Sequence, residues 1–255
     1  MIPDTIPSFP LPATPFDGRS RTVEPASVFE WYRLGWSIFA AHPGHWLLTT
    51  LAVLVGYLLL ASLPVIGWPA RHLLTPLLVA GLLLGCRNVT TERVRGAGDL
   101  LPNLLSIPRN LDPWPWVVFG GLYLLGATVI RHLVELVVGW GGASANLPAS
   151  LADLAPWLGG ALLTGVLELM LSLPLLMALW FAPALVVFGR LRPMAALNAS
   201  FHACVKNIAA LLIYGVILLT LGVLAVLPAG FGLLVLVPVL AGSVYAAYRD
   251  IFLAT

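Results

Sequence analysis

Apolar residues run through this chain in six long blocks, separated by short stretches that gather proline, glycine and almost all of the charge. A helix needs about 20 mainly apolar residues to cross a hydrocarbon layer roughly 30 Å thick. The blocks Trp46–Leu63, Leu73–Val89, Trp116–Val138, Trp157–Phe188, Val205–Leu227 and Phe231–Tyr248 meet or approach that length. The second and sixth reach it if Arg87 and Arg249 extend their charged ends to the interface. The fourth exceeds it, and Pro174 and Pro183 are expected to bend or break it. The pattern predicts an all-α polytopic membrane protein with six transmembrane helices.

Two further stretches are amphipathic at helical spacing and precede the first and fifth blocks. In one, Val28, Trp31, Tyr32, Ile38 and Phe39 share a face opposed to Glu30, Arg33 and Ser37. In the other, Met194, Leu197, Phe201 and Cys204 recur beside Asn198 and His202. Such helices favour the membrane interface, so each hairpin is expected to open with an interfacial helix. Sliding the chain on itself by 162 residues pairs Phe39 with Phe201, Ala41 with Ala203, Pro76 with Pro238 and Arg87 with Arg249. The small pair Gly81 and Gly85 then meets Ser243 and Ala247, each with the spacing that lets helix backbones approach in lipid. Units 37–89 and 199–251 thus read as a parallel internal repeat, against the alternative of chance likeness between two apolar hairpins.

Composition narrows the class. Of 255 residues, 60% are hydrophobic and 9% charged, with mean hydropathy +0.96. Soluble domains carry about a quarter charged residues, so a soluble enzyme is excluded. A net charge of +2 excludes a nucleic-acid binder. Two cysteines make no disulfide framework, and Cys86 and Cys204 read as packing residues. Lys and Arg favour the cytoplasmic side. Eleven basic residues fall on one side of the six-span arrangement, only Arg71 on the other, and Arg131 inside a span. Both termini are therefore expected in the cytoplasm. Residues 1–25 hold six prolines and no apolar core, which reads as a disordered cytoplasmic tail rather than a secretory signal. Residues 26–255 form the single membrane domain.

Ionisable groups inside a span are costly and are by default functional candidates. Glu168 lies eleven residues into the fourth block, about 16 Å along the helix and near the midplane. Arg131 lies seven residues from the end of the third, roughly 10 Å below the interface. Glu135 is a helical turn further out on the same face, and His132 is expected to point about 100° away. One reading makes these a polar pocket between spans three and four for an anionic group or a proton. The other makes them a buried network, Arg131 paired with Glu135 and Glu168, that fixes helix register. Of the five histidines, only His72 and His132 suit a facing pair, and interfacial hydrogen bonding accounts for each singly. No zinc-hydrolase, nucleophile-elbow, phosphate-loop or dinucleotide motif occurs, so neither catalytic residues nor a cofactor is expected.

Distinctive segments are Trp180-Phe-Ala-Pro183-Ala-Leu-Val186, Ala196 to Asn207, and Tyr245-Ala-Ala-Tyr248-Arg-Asp-Ile-Phe252, with Gly35-Trp36-Ser-Ile-Phe39 and Pro43 near the start. Together they resemble an uncharacterised family of proteobacterial six-helix inner-membrane proteins. More distantly they are similar to the membrane domain attached to some glycerophosphodiester phosphodiesterases. The resemblance implies helical architecture and an inner-membrane location, and no activity. Arg131, Glu135 and Glu168 lie outside the matching pattern. The expectation is a non-enzymatic protein serving assembly, stabilisation or scaffolding of a membrane complex, its contacts being the bilayer and a membrane-protein partner or another copy of itself. The alternative is a transporter or lipid-handling protein using the polar site.

Overall fold

The structure, a computed structural model, describes residues 16–90, 113–140 and 150–253. Arg93, Arg95 and Arg109, part of the basic cytoplasmic side in the sequence, lie outside the described residues. The described residues fold into helices: α1 (Ser27–Ala41), α2 (Pro43–Ala61), α3 (Gly67–Thr90), α4 (Trp114–Trp140), α5 (Leu151–Trp180), α6 (Ala182–Val187), α7 (Pro193–Lys206), α8 (Ile208–Val226) and α9 (Leu233–Phe252). Among the described residues six segments are long and apolar enough to span a membrane: α2, α3, Trp114–Val138, Trp157–Val187, α8 and α9. They coincide with the six expected blocks to within a few residues at most ends, and the second begins six residues earlier. The protein is an all-α polytopic membrane protein. In the fourth block the chain breaks at Phe181, ahead of Pro183, whereas Pro174 lies inside the continuous α5.

Helix α9 is the hub, with α1, α2, α3 and α8 packed around it. Two-thirds of its span is buried, against about a sixth of α2 and of α8. Helix α1 lies lengthwise and antiparallel against it: Trp31 Nε1 donates to Asp250 Oδ2 (2.9 Å), and Gly35 crosses at Val239 and Ser243. The apolar face expected to meet the bilayer interface is covered instead by α9, which explains why Val28, Trp31, Ile38 and Phe39 are buried. In α7 the buried stripe is Ala196, Leu197, Ser200, Ala203 and Cys204 rather than the expected set, and Met194 stands exposed. The small side chains of that stripe let α7 close on α5 and α6. Cys86 and Cys204 are free and buried.

The two units share their succession of elements, but not in one register. His42 and Asn207, 165 residues apart, each interrupt a helix for one residue and are followed by a 19-residue helix. Gly67 and Gly232, also 165 apart, each bring their backbone against the residue seven positions earlier, Leu60 and Ala225. Val65 and Gly230 both have positive φ at the hairpin tips. Pro76 and Pro238, inside α3 and α9, remain 162 apart. Helix α3 therefore carries three extra residues between its turn and its proline. The gapless 162-residue alignment holds for the last helix of each unit and misplaces the earlier pairs, among them Phe39 with Phe201.

Residues 16–25 are not a free tail. Phe16 packs edge-on against Phe252, Arg21 pairs with Asp250, and Val23 N–H donates to Asn207 Oδ1 at 2.8 Å. Asn207, nearly fully buried, also donates from Nδ2 to the Arg21 and Ala203 carbonyls, both at 3.0 Å. Residues 1–15 of the expected tail lie outside the described residues.

Candidate functional site

The charged residues of the third and fourth spans come together on the outer surface of α4 and α5. Four-residue spacing puts Arg131 and Glu135 on one face, and Arg131 Nε donates to Glu135 Oε1 at 2.8 Å. His132 turns toward the same carboxylate, Nδ1 lying 3.2 Å from Oε2. The expected 100° divergence is overcome because residues three apart are also neighbours on a helix. Glu168 on α5 adds an electrostatic interaction with Arg131 beyond ion-pair distance.

This cluster is exposed rather than buried. The Arg131, His132 and Glu135 side chains are more than half exposed, and Glu168 is exposed too. The physical reason lies in the packing order. Helix α4 packs on α3 and α5, and α5 on α4 and α7, so both sit at the side of the bundle with one face turned outward. That face carries Leu133, Leu136 and Val137 from α4, and Leu162, Val166 and Leu169 are exposed on α5. Four ionisable groups thus stand among exposed apolar side chains at membrane depth. A guanidinium has five donors, and here only Nε is used within the cluster.

The small residues expected at helix contacts are buried: Gly81 and Gly85 on α3, Ser243 and Ala247 on α9. Ser243 bonds through its hydroxyl with Tyr214 on α8 (2.7 Å). The close backbone crossing involves glycines that the small-pair spacing did not mark. A Cβ on Gly242 would stand 2.8 Å from the Gly35 Cα, and one on Gly120 2.7 Å from the Leu73 Cα.

The histidines do not pair as ligands. His72 stacks on Trp68 and Tyr123, with Nδ1 2.8 Å from the Trp68 carbonyl, while His132 is engaged by Glu135. His42 and His45 meet edge to face, and burial, then the His45 ring, holds His42 below its ordinary value. Burial pushes the Tyr32 phenol up to about 12, so it remains a donor to the Tyr214 carbonyl. Among the described residues no group of three or more His, Cys, Asp or Glu is placed to hold a metal ion.

One cavity has no counterpart in the sequence reading. About 340 Å³ of space lies between α5 and α9, walled by α3 and bordered by Tyr123 of α4 and Pro183 of α6. Its lining is almost wholly apolar, and Thr75, the hydroxyl beside it, donates to the Arg71 carbonyl at 2.7 Å.

Parts of the distinctive sequence segments lie at the centre of the bundle. Phe181, Ala182, Ala184 and Leu185 are fully buried, and Ser200 ties the α5–α6 break by accepting from Phe181 N–H (3.0 Å) and donating to the Met177 carbonyl (2.7 Å). Tyr248, Ile251 and Phe252 pack beside them. No protein-family model, no curated protein and no solved structure matches this chain.

Proposed function

We propose that this is a non-enzymatic integral membrane protein acting in the assembly or stabilisation of a membrane complex, and that it associates through the outer face of α4 and α5. The observation that carries this reading is the exposed cluster of Arg131, His132, Glu135 and Glu168 at membrane depth. Charged groups in a span normally face the bundle interior or a water-filled cavity. A second copy of the chain is the occupant that the charges favour. A two-fold axis along the membrane normal sets equal depths side by side. The unused guanidinium donors of one Arg131 then come level with the carboxylates of the other copy, and each half of the contact repeats the other. The transport alternative has less support, because its polar groups are exposed on the outer surface of α4 and α5 and the cavity between α5 and α9 is apolar.

The bacterial inner membrane with cytoplasmic termini belongs to the same proposal. Its support is the eleven-to-one distribution of basic residues and the family resemblance of the buried segments. Native mass spectrometry from nanodiscs tests the association. The wild type is expected as a dimer, and joint replacement Arg131→Leu with Glu135→Leu, which leaves net charge unchanged, is expected to weaken dimerisation at least tenfold. A wild type that is monomeric at membrane-like protein densities contradicts the proposal, as does an equally dimeric variant.

A further inference from the structure

We infer that the cavity between α5 and α9 is a binding site for one acyl chain of a bilayer phospholipid, whose phosphate is held by Arg71. The space between α5 and α9 is a half-open apolar slot of about 340 Å³, within the range of about 300–1,000 Å³ found for ligand sites. It also sits in a molecule whose surroundings are hydrocarbon.

Its lining is long enough to take a stretch of alkyl chain. Along α3 the lining runs from Thr75 to Leu83, about 12 Å at 1.5 Å per residue. The slot follows α9 from Val237 to Val244 in the same direction. The slot exists because α5 packs on α4 and α7 rather than closing directly on α9.

The hairpin end of the slot carries the polar groups a headgroup needs. Tyr123 borders the cavity, its ring 4.9 Å from that of His72, which lies 4.5 Å from Trp68. Tyr57 of α2 is near enough to Tyr123 to interact electrostatically, and the Arg71 guanidinium lies 5.5 Å over the Tyr57 ring. Arg71 sits one helical turn beyond Thr75 and commits Nε to the Gly67 carbonyl (3.3 Å). Its other donors suit a phosphate. Arg71, in the second turn of α3, is the one Lys or Arg that the six-span arrangement of the sequence places at this end of the bundle, where a cation has no topological role. A phosphate at Arg71 with its chain descending the slot accounts for both features together.

The test uses the full chain, delipidated in mild detergent and re-exposed to phosphatidylglycerol. Native mass spectrometry is expected to show one retained phospholipid, with at least tenfold weaker retention in Ala241→Phe, which fills the slot, and in Arg71→Gln. Inorganic phosphate alone is expected to leave the unfolding temperature unchanged, whereas the phospholipid raises it. Because Ala241→Phe sits in the tightly packed α9, a second measurement needs no such variant. Phosphatidylglycerol with brominated chains is expected to quench a tryptophan component that is absent in Trp180→Phe. No retained phospholipid in the wild type, undiminished retention in a folded Ala241→Phe, or identical quenching in Trp180→Phe would overturn the inference. Stabilisation by inorganic phosphate equal to that by the lipid would overturn the acyl-chain assignment.

Discussion

Replacing Gly242 with leucine is expected to lower the unfolding midpoint of the detergent-solubilised protein by roughly 2–12 °C. The Cβ alone would stand 2.8 Å from the Gly35 Cα, so the clash is with backbone that cannot rotate away. Overpacking of a fitted core costs about 1–3 kcal/mol, occasionally more, and at this size each kcal/mol moves the midpoint by about 2–4 °C. Gly35→Leu is expected to match it, because its Cβ would approach the Ser243 nitrogen to 2.8 Å and also meet the Val239 carbonyl. Gly56 and Gly215 have nothing within 4 Å of an added Cβ, so alanine there is expected to be neutral or slightly stabilising. Thermal scanning with size-exclusion detection reads all four. Equal midpoints for the two pairs would contradict the antiparallel α1–α9 crossing.

Asn207→Ala is expected to release the segment around Arg21 and Val23 from the bundle. The side chain closes three hydrogen bonds, two of them to that segment, and it is nearly fully buried. Its loss leaves the part-buried Val23 N–H and the Arg21 carbonyl without their partner, so the segment loses two of its ties to the bundle. Trypsin is expected to cut after Arg19 and Arg21 at least tenfold faster in the variant than in the wild type. Lys206→Ala removes one exposed contact to the Ser20 carbonyl and is expected to change the rate little. Unchanged cleavage in Asn207→Ala would show that the segment is held by other contacts.

The spans were legible because hydropathy over some 20 residues is set by the bilayer alone and needs no knowledge of neighbours. The pairing of Arg131 with Glu135 was legible for a similar reason, since four-residue spacing on one helix fixes it. What their environment would be was not, because the exposure of α4 depends on which helices pack against α9. The amphipathic face of Val28, Trp31, Ile38 and Phe39 was found correctly, but periodicity does not say whether lipid or protein covers it. Gly35 carried a weak signal, a glycine inside a helix with a cost of its own, and its partner Gly242 lies more than two hundred residues away. The repeat register misled because Pro76–Pro238 and Arg87–Arg249 anchor a gapless alignment in the last helix, which is blind to three extra residues ahead of it. The cavity had no signal at all, since a slot left between α5 and α9 is a property of packing and not of any segment.

Association through α4 and α5 is most directly tested in the native membrane by cysteine cross-linking. Leu136→Cys places a thiol on α4 beside the charged cluster, and Val216→Cys places one on the exposed face of α8. The native Cys86 and Cys204 are buried and contribute little background. Under mild oxidation the Leu136→Cys protein is expected to form a disulfide-linked dimer and the Val216→Cys protein to remain monomeric. A Leu136→Cys protein that stays monomeric, or cross-linking of equal yield at both positions, would contradict the account.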